Sequence, residues 1–67
     1  MKELIAAVRA YALKNYEKGG WDYVVEAWDD DDLAEFIGAA RTPAGAIKAV
    51  GKIVKARFGY AEDIRGA

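Results

Sequence analysis

The sequence contains no cysteine, no histidine and no serine. Without cysteine the chain has neither a disulfide nor a thiolate metal site. Without histidine it lacks the commonest metal ligand and the usual general acid–base group. Thr42 is the one aliphatic hydroxyl, and its position before Pro43 predicts a helix cap rather than a nucleophile. The pair Gly19-Gly20 is not followed by the Lys and Ser/Thr of a phosphate-binding loop. We therefore expect a protein that is not an enzyme and that uses no metal or cofactor.

Long apolar segments are also missing. No stretch approaches the roughly 20 apolar residues that cross a bilayer, and residues 1–5 carry an acid too early for a signal peptide. We expect a cytoplasmic protein without membrane contacts, and the absence of cysteine is compatible with a reducing compartment. The 67 residues are predicted to form one domain, residues 1–67, and a hydrophobic content of 54% is too high for a disordered chain.

The charges are unevenly distributed, although the net charge is only -1. Residues 17–35 contain eight acids and one base, whereas residues 41–57 contain five bases and no acid. A net charge near zero gives no overall attraction to nucleic acid. The segregation nevertheless predicts a molecule with one acidic face and one basic face.

Hydrophobic periodicity predicts two helices in the first half of the chain. The first covers about residues 2–18 and stops at Gly19-Gly20, because glycine accepts the left-handed backbone that ends a helix. The second is short, about residues 21–28, and carries Trp21 and Trp28 on one face. Two tryptophans in so short an element predict that it is held to the core by a large buried area.

Cap signals predict two more helices in the second half. Asp29 or Asp30 is expected to cap the third helix, which ends within residues 38–40. The pair Thr42-Pro43 opens the fourth, because threonine is a good N-cap and proline suits the first helical position. This helix runs to about residue 58, or on to residue 64 if its internal glycine is tolerated. Its predicted apolar face is Ile47, Val50, Ile53, Val54, Phe58, Tyr60, Ala61 and Ile64.

These elements predict an all-α fold, a small single-domain helical bundle of three to four helices with a helix-turn-helix-like corner. The expected core is Leu4, Val8, Tyr11, Trp21, Val25, Trp28, Leu33, Phe36, Ile37, Ile47, Val50, Val54 and Phe58.

Residues 33–47 resemble the helix-turn-helix of DNA-binding proteins. Ala34 supplies the small residue where the two helices approach each other, and Gly38 supplies the turn. In such proteins the second helix presents its N-terminal residues to the major groove. The resemblance implies packing by Leu33, Ile37, Ala44 and Ile47. It also implies base contacts from Arg41, Thr42 and Gly45, and phosphate contacts from Lys48, Lys52 and Lys55.

The segment also departs from that pattern. Pro43 lies where a polar contact residue is usual, and residues 44–46 are alanine and glycine, which offer little for reading bases. The alternative interpretation is therefore a plain helical corner in which small residues allow close packing. For the three lysines the alternative is a solvated helix face.

The run of acids is a second candidate site. Carboxylate clusters bind Ca²⁺ or Mg²⁺, but this run lacks the alternate spacing, central glycine and final glutamate of an EF-hand loop. Helix capping and solubility are the simpler interpretation. The run could instead form an interaction edge with a partner protein, through Asp29, Asp30, Asp31, Asp32 and Glu35.

Residues 19–28, followed by residues 40–47, resemble small uncharacterised helical proteins of actinobacteriophages and related prophages. That resemblance implies a bacterial cytoplasm and a part in phage regulation or host takeover. The resemblance implies no particular activity. Such proteins work by binding either DNA or one host protein, so it leaves both interpretations open.

The sequence therefore predicts a non-catalytic binding module. The more specific version of this prediction is a small helix-turn-helix-like regulatory protein that binds duplex DNA. A homodimer is then expected, because one such small helix gives too little affinity alone. The alternative is a protein–protein interaction module, a phage accessory protein that binds a host protein through the acidic edge or through exposed aromatic side chains.

Overall fold

Four α-helices form the described part of the chain, which in this computed structural model is the backbone of residues 1–66 and the side chains of residues 1–58. They are α1 (Lys2–Lys14), α2 (Trp21–Glu26), α3 (Asp30–Ile37) and α4 (Pro43–Gly66). No strand occurs within residues 1–66. The predicted all-α class is confirmed. α1 packs against each of the other three helices, and α3 also packs against α4.

Both helices of the first half are shorter than predicted. α1 ends at Lys14 because Asn15 leaves the helical conformation and its side-chain amide donates to the Tyr11 carbonyl at 2.8 Å. Such local side-chain hydrogen bonds compete with the helix. α2 ends at Glu26, because the amides of Ala27 and Trp28 both donate to the Tyr23 carbonyl, at 2.8 and 3.0 Å, and close the last turn. Trp28 therefore lies after the helix.

The predicted starts of the other two helices are confirmed. Asp29 caps α3: its carboxylate accepts from the Asp32 amide at 2.9 Å, and the Asp32 carboxylate accepts from the Asp29 amide at 3.2 Å. This reciprocal pair is a capping box. At α4, Thr42 Oγ1 accepts from the Gly45 amide at 3.0 Å, and Pro43 is the first helical residue.

α4 continues to Gly66, so the longer of the two predicted versions is correct. The side chains of Tyr60, Ala61 and Ile64, which were predicted on its apolar face, lie outside the described residues.

The core lies where the four helices meet. Its fully buried side chains are Val8, Ala12, Val24, Leu33, Ile37, Ala46, Val50 and Val54. Partly buried apolar side chains packed against them are Leu4, Ile5, Trp21, Val25, Trp28, Phe36, Ala40, Ile47 and Phe58. One predicted core residue is wrong: Tyr11 is 38% exposed, because the neighbouring Ala12 faces the core instead. Tyr16, which lies within the predicted bounds of the first helix, is also exposed, because α1 has ended before it.

Arg9 joins three segments of the chain. Its guanidinium donates to the Asp30 carboxylate at 2.7 and 3.1 Å, to the Trp28 carbonyl at 3.2 Å and to the Val24 carbonyl at 3.4 Å. One side chain on α1 therefore fixes the end of α2 and the start of α3. No sequence pattern pointed to Arg9, since its partners are 15 to 21 residues away along the chain.

Candidate nucleic-acid interface

Three lysines form one exposed face of α4, which we call the lysine face: Lys48, Lys52 and Lys55. Spacings of four and three residues place them on the same side of the helix, over about 10 Å of its axis. The opposite side of the helix carries buried core residues, among them Val50. Because the side of α4 that carries Val50 packs into the core, the lysines on the opposite side point toward solvent.

No acid neutralises the lysine face within residues 1–58, the part of the chain with described side chains. The ion pair in that part joins Arg9 to Asp30, on the other helices. The three ammonium groups are therefore exposed to solvent. They can bind a phosphate without first breaking an ion pair within that part of the chain.

Arg57 does not belong to the lysine face. It follows Lys48 by nine residues, which corresponds to a rotation of about 180° around the helix. Its guanidinium lies 5.7 Å from the centre of the Trp28 ring and 5.4 Å from that of Phe36, within the range of cation–π attraction. The four bases of α4 within residues 43–57 thus divide between two faces of the helix.

The three residues predicted to contact bases differ in whether they have a polar side-chain group available for such a contact. Arg41 is exposed just before α4. Thr42 is exposed too, but its oxygen already accepts the Gly45 amide. Gly45 has no side chain, and a Cβ there would lie 3.0 Å from Thr42 Oγ1. Of the three, Arg41 is the one with a long, charged side chain at the corner.

The glycine between α3 and α4 has the backbone conformation expected at a turn. Gly38 has φ 61°, a conformation that side-chain-bearing residues rarely adopt, and it ends α3 as expected. Leu33 and Ile37 are buried, as predicted for the packing positions of the first helix. The packing predicted for Ala44 is wrong. Ala44 is exposed and Ala46 is buried, because the core-facing side of α4 follows residues 46, 50 and 54.

Ala44 instead lies one turn before Lys48 and continues the lysine face toward the corner. Its methyl group is small enough for a phosphate to approach the helix closely there.

The acidic edge is exposed apart from Asp32, which is half-buried. Asp29 and Asp32 form the capping box, and Asp30 pairs with Arg9. Within the described residues no group of three acids is arranged to hold a metal ion. Several of the carboxylates therefore have structural partners, which agrees with the capping interpretation.

Within the described residues, no helix combines the length and the apolar character that a membrane span requires. Comparisons of the chain with models of protein families, with curated proteins and with solved structures find no match.

Proposed function

We propose that this chain is a non-catalytic DNA-binding protein whose α4 contacts the phosphates of duplex DNA. The observation that carries the proposal is the lysine face. It consists of three exposed ammonium groups on one helix, and no acid pairs with them within residues 1–58. Contacts to phosphate provide most of the non-specific affinity of DNA-binding proteins.

The chemistry of the corner supports binding that depends little on base sequence. The first turn of α4 is built from Pro43, Ala44 and Gly45, which have no polar side-chain groups for base edges. The Thr42 oxygen is engaged in the cap. Arg41 remains as one residue able to contact a base or a further phosphate. We expect contacts that position the helix on the DNA backbone and little direct reading.

The test is fluorescence anisotropy with a labelled random-sequence duplex over a salt series that starts at low salt. The wild type is compared with the triple variant K48A/K52A/K55A. The matched control is K2A/K14A/K18A, which removes the same charge from three exposed lysines elsewhere.

Three phosphate contacts for each chain predict a slope of log affinity against log salt of about −2.7 for one bound chain and about −5.4 for a bound homodimer, and the lysine-face variant should lose nearly all of it. The control should keep it. Absence of binding at low salt, or an equal loss in both variants, contradicts the proposal.

A second copy on the same duplex would double the number of phosphate contacts. A homodimer on DNA is therefore part of the proposal. It predicts a binding stoichiometry of two chains for each short duplex. The resemblance to phage proteins and a bacterial cytoplasmic location stay predictions beside it.

The second candidate function is a protein-interaction module that binds a host protein through the acidic edge. The observation that favours it is the exposure of Asp31 and Glu35, which have no ion-pair partner within residues 1–58. The variant D31N/E35Q distinguishes the candidates. It should leave the salt slope of DNA binding unchanged, whereas it should weaken a partner held at the acidic edge.

A further inference from the structure

Four aromatic rings from three helices and one connection form a continuous row on the surface, which we call the aromatic row. Tyr23 stacks on Phe58, with centroids 4.5 Å apart and planes 9° from parallel. Phe58 lies 6.1 Å from Trp28, and Trp28 meets Phe36 edge-on at 4.8 Å. Tyr23 is 47% exposed, and the other three rings are half-buried. The row is therefore partly core and partly open surface.

One end of the aromatic row already holds a cation. The guanidinium of Arg57 lies over Trp28 and Phe36, at 5.7 and 5.4 Å from their centroids. A ring face attracts cations through its quadrupole. This end of the row thus has a guanidinium within the range of cation–π attraction of two rings.

The other end of the row offers a similar face without such a cation among residues 1–58. One face of the Tyr23 ring lies against Phe58, because the two planes are nearly parallel. The exposure of Tyr23 is then on its outer face. Glu26 is exposed one helical turn further along α2, on the same side as Tyr23. Neither Glu26 nor the half-buried Asp22 has an ion-pair partner within the side chains described.

The charge around the row selects the class of partner. Residues 17–35, which contribute two of the four rings, Tyr23 and Trp28, carry eight acids and one base. Phosphate groups of a nucleic acid or of an anionic membrane would be repelled there. A positively charged protein segment would be attracted, and arginine and tyrosine are residues on which protein interfaces commonly depend.

We propose that the Tyr23 end of the aromatic row is a docking site for an arginine-bearing segment of a partner protein. A guanidinium stacks on the outer face of Tyr23 while Glu26 accepts its hydrogen bonds. This site shares no residue with the lysine face, so it stands whether or not α4 binds DNA. If both are correct, the chain links DNA to a basic partner segment.

The test uses a fluorescein-labelled peptide with four arginines separated by glycines, titrated with the full chain and followed by anisotropy. A second peptide replaces every arginine with citrulline, which keeps the shape and removes the charge. Two protein variants are matched: Y23L removes the ring from the proposed site, and Y16L removes another exposed tyrosine outside the row.

We expect Y23L to bind the arginine peptide about fivefold more weakly than the wild type, and Y16L to bind within twofold of it. The citrulline peptide should not bind. The variant K48A/K52A/K55A should bind the peptide at least as tightly as the wild type, which separates this test from that of DNA binding.

Ring-proton chemical shifts in the wild-type protein provide a measurement that needs no substitution. Those of Tyr23 should move as the arginine peptide is added, and those of Tyr16 should stay in place. Equal binding by Y23L and the wild type, binding of the citrulline peptide, or unmoved Tyr23 shifts would each overturn the proposal. An effect of E26Q without any effect of Y23L would also overturn it, because attraction by the acids alone would then explain the binding.

Discussion

A Cβ atom placed on Gly20 would lie 2.5 Å from Cδ2 of Phe58, a distance that real side chains do not adopt. The turn before α2 and the middle of α4 therefore touch without room for a side chain. Gly20 also has φ 93°, which L-residues rarely adopt. We expect Gly20→Ala to lower the free energy of unfolding by about 1–3 kcal/mol, measured by urea denaturation followed by circular dichroism.

Gly51→Ala is the matched control for that substitution. Gly51 lies inside α4, and a Cβ there would be 3.6 Å from Trp21 Cζ2, an ordinary van der Waals contact. Alanine is the better helix former, so the free energy of unfolding should rise by about 0.5–1 kcal/mol. Equal effects of the two substitutions would show that the contact between Gly20 and Phe58 does not constrain the fold.

The starts of α3 and α4 could be predicted because their chemistry is local. Asp29 and Thr42 each bond an amide three residues ahead, and Pro43 fits the first helical position without losing a hydrogen bond. Such signals need no knowledge of the rest of the fold. The end of α1 was harder to predict from the sequence, because Gly19-Gly20 is the stronger stop signal while Asn15 ends the helix earlier.

Contacts between distant segments could not be predicted. Ala12 and Ala46 are fully buried because small residues allow close approach of the helices, and a hydrophobicity pattern favours the larger neighbours. Arg9 and Arg57 each find their partners across the fold, on other elements. The lysine face could be predicted from the sequence, since its spacing is a property of one helix. The position of Arg57 beside the aromatic row could not be predicted in this way.

The Arg9 network should contribute more to stability than an ordinary surface ion pair. Asp30 is 73% exposed, and its pairing alone is worth about 0–1 kcal/mol. Arg9 also donates to the partly buried carbonyls of Val24 and Trp28. Arg9→Met leaves both without that donor, so we expect a loss of about 1–2 kcal/mol in urea denaturation.

Asp30→Asn separates the ion pair from the rest of this network. It should cost less than Arg9→Met, because the two carbonyl bonds remain. Asp31→Asn controls for the favourable effect of an acid in the first turn of α3, since Asp31 is exposed and has no ion pair among residues 1–58. If Asp30→Asn costs as much as Arg9→Met, the carbonyl bonds contribute nothing measurable.

Thr42 provides a test of whether the corner reads DNA or only holds the helix. Its oxygen accepts the Gly45 amide at 3.0 Å, so Thr42→Ala should lower the free energy of unfolding by about 1 kcal/mol, while Thr42→Ser should keep the cap and the stability. A residue that only caps α4 leaves the lysine face unchanged. The salt slope and the affinity for a random-sequence duplex should therefore be those of the wild type in both variants, measured at a temperature where each is fully folded. If Thr42→Ala were to weaken binding to some duplex sequences and not to others, the hydroxyl would be contacting bases, and phosphate contacts alone would not account for recognition.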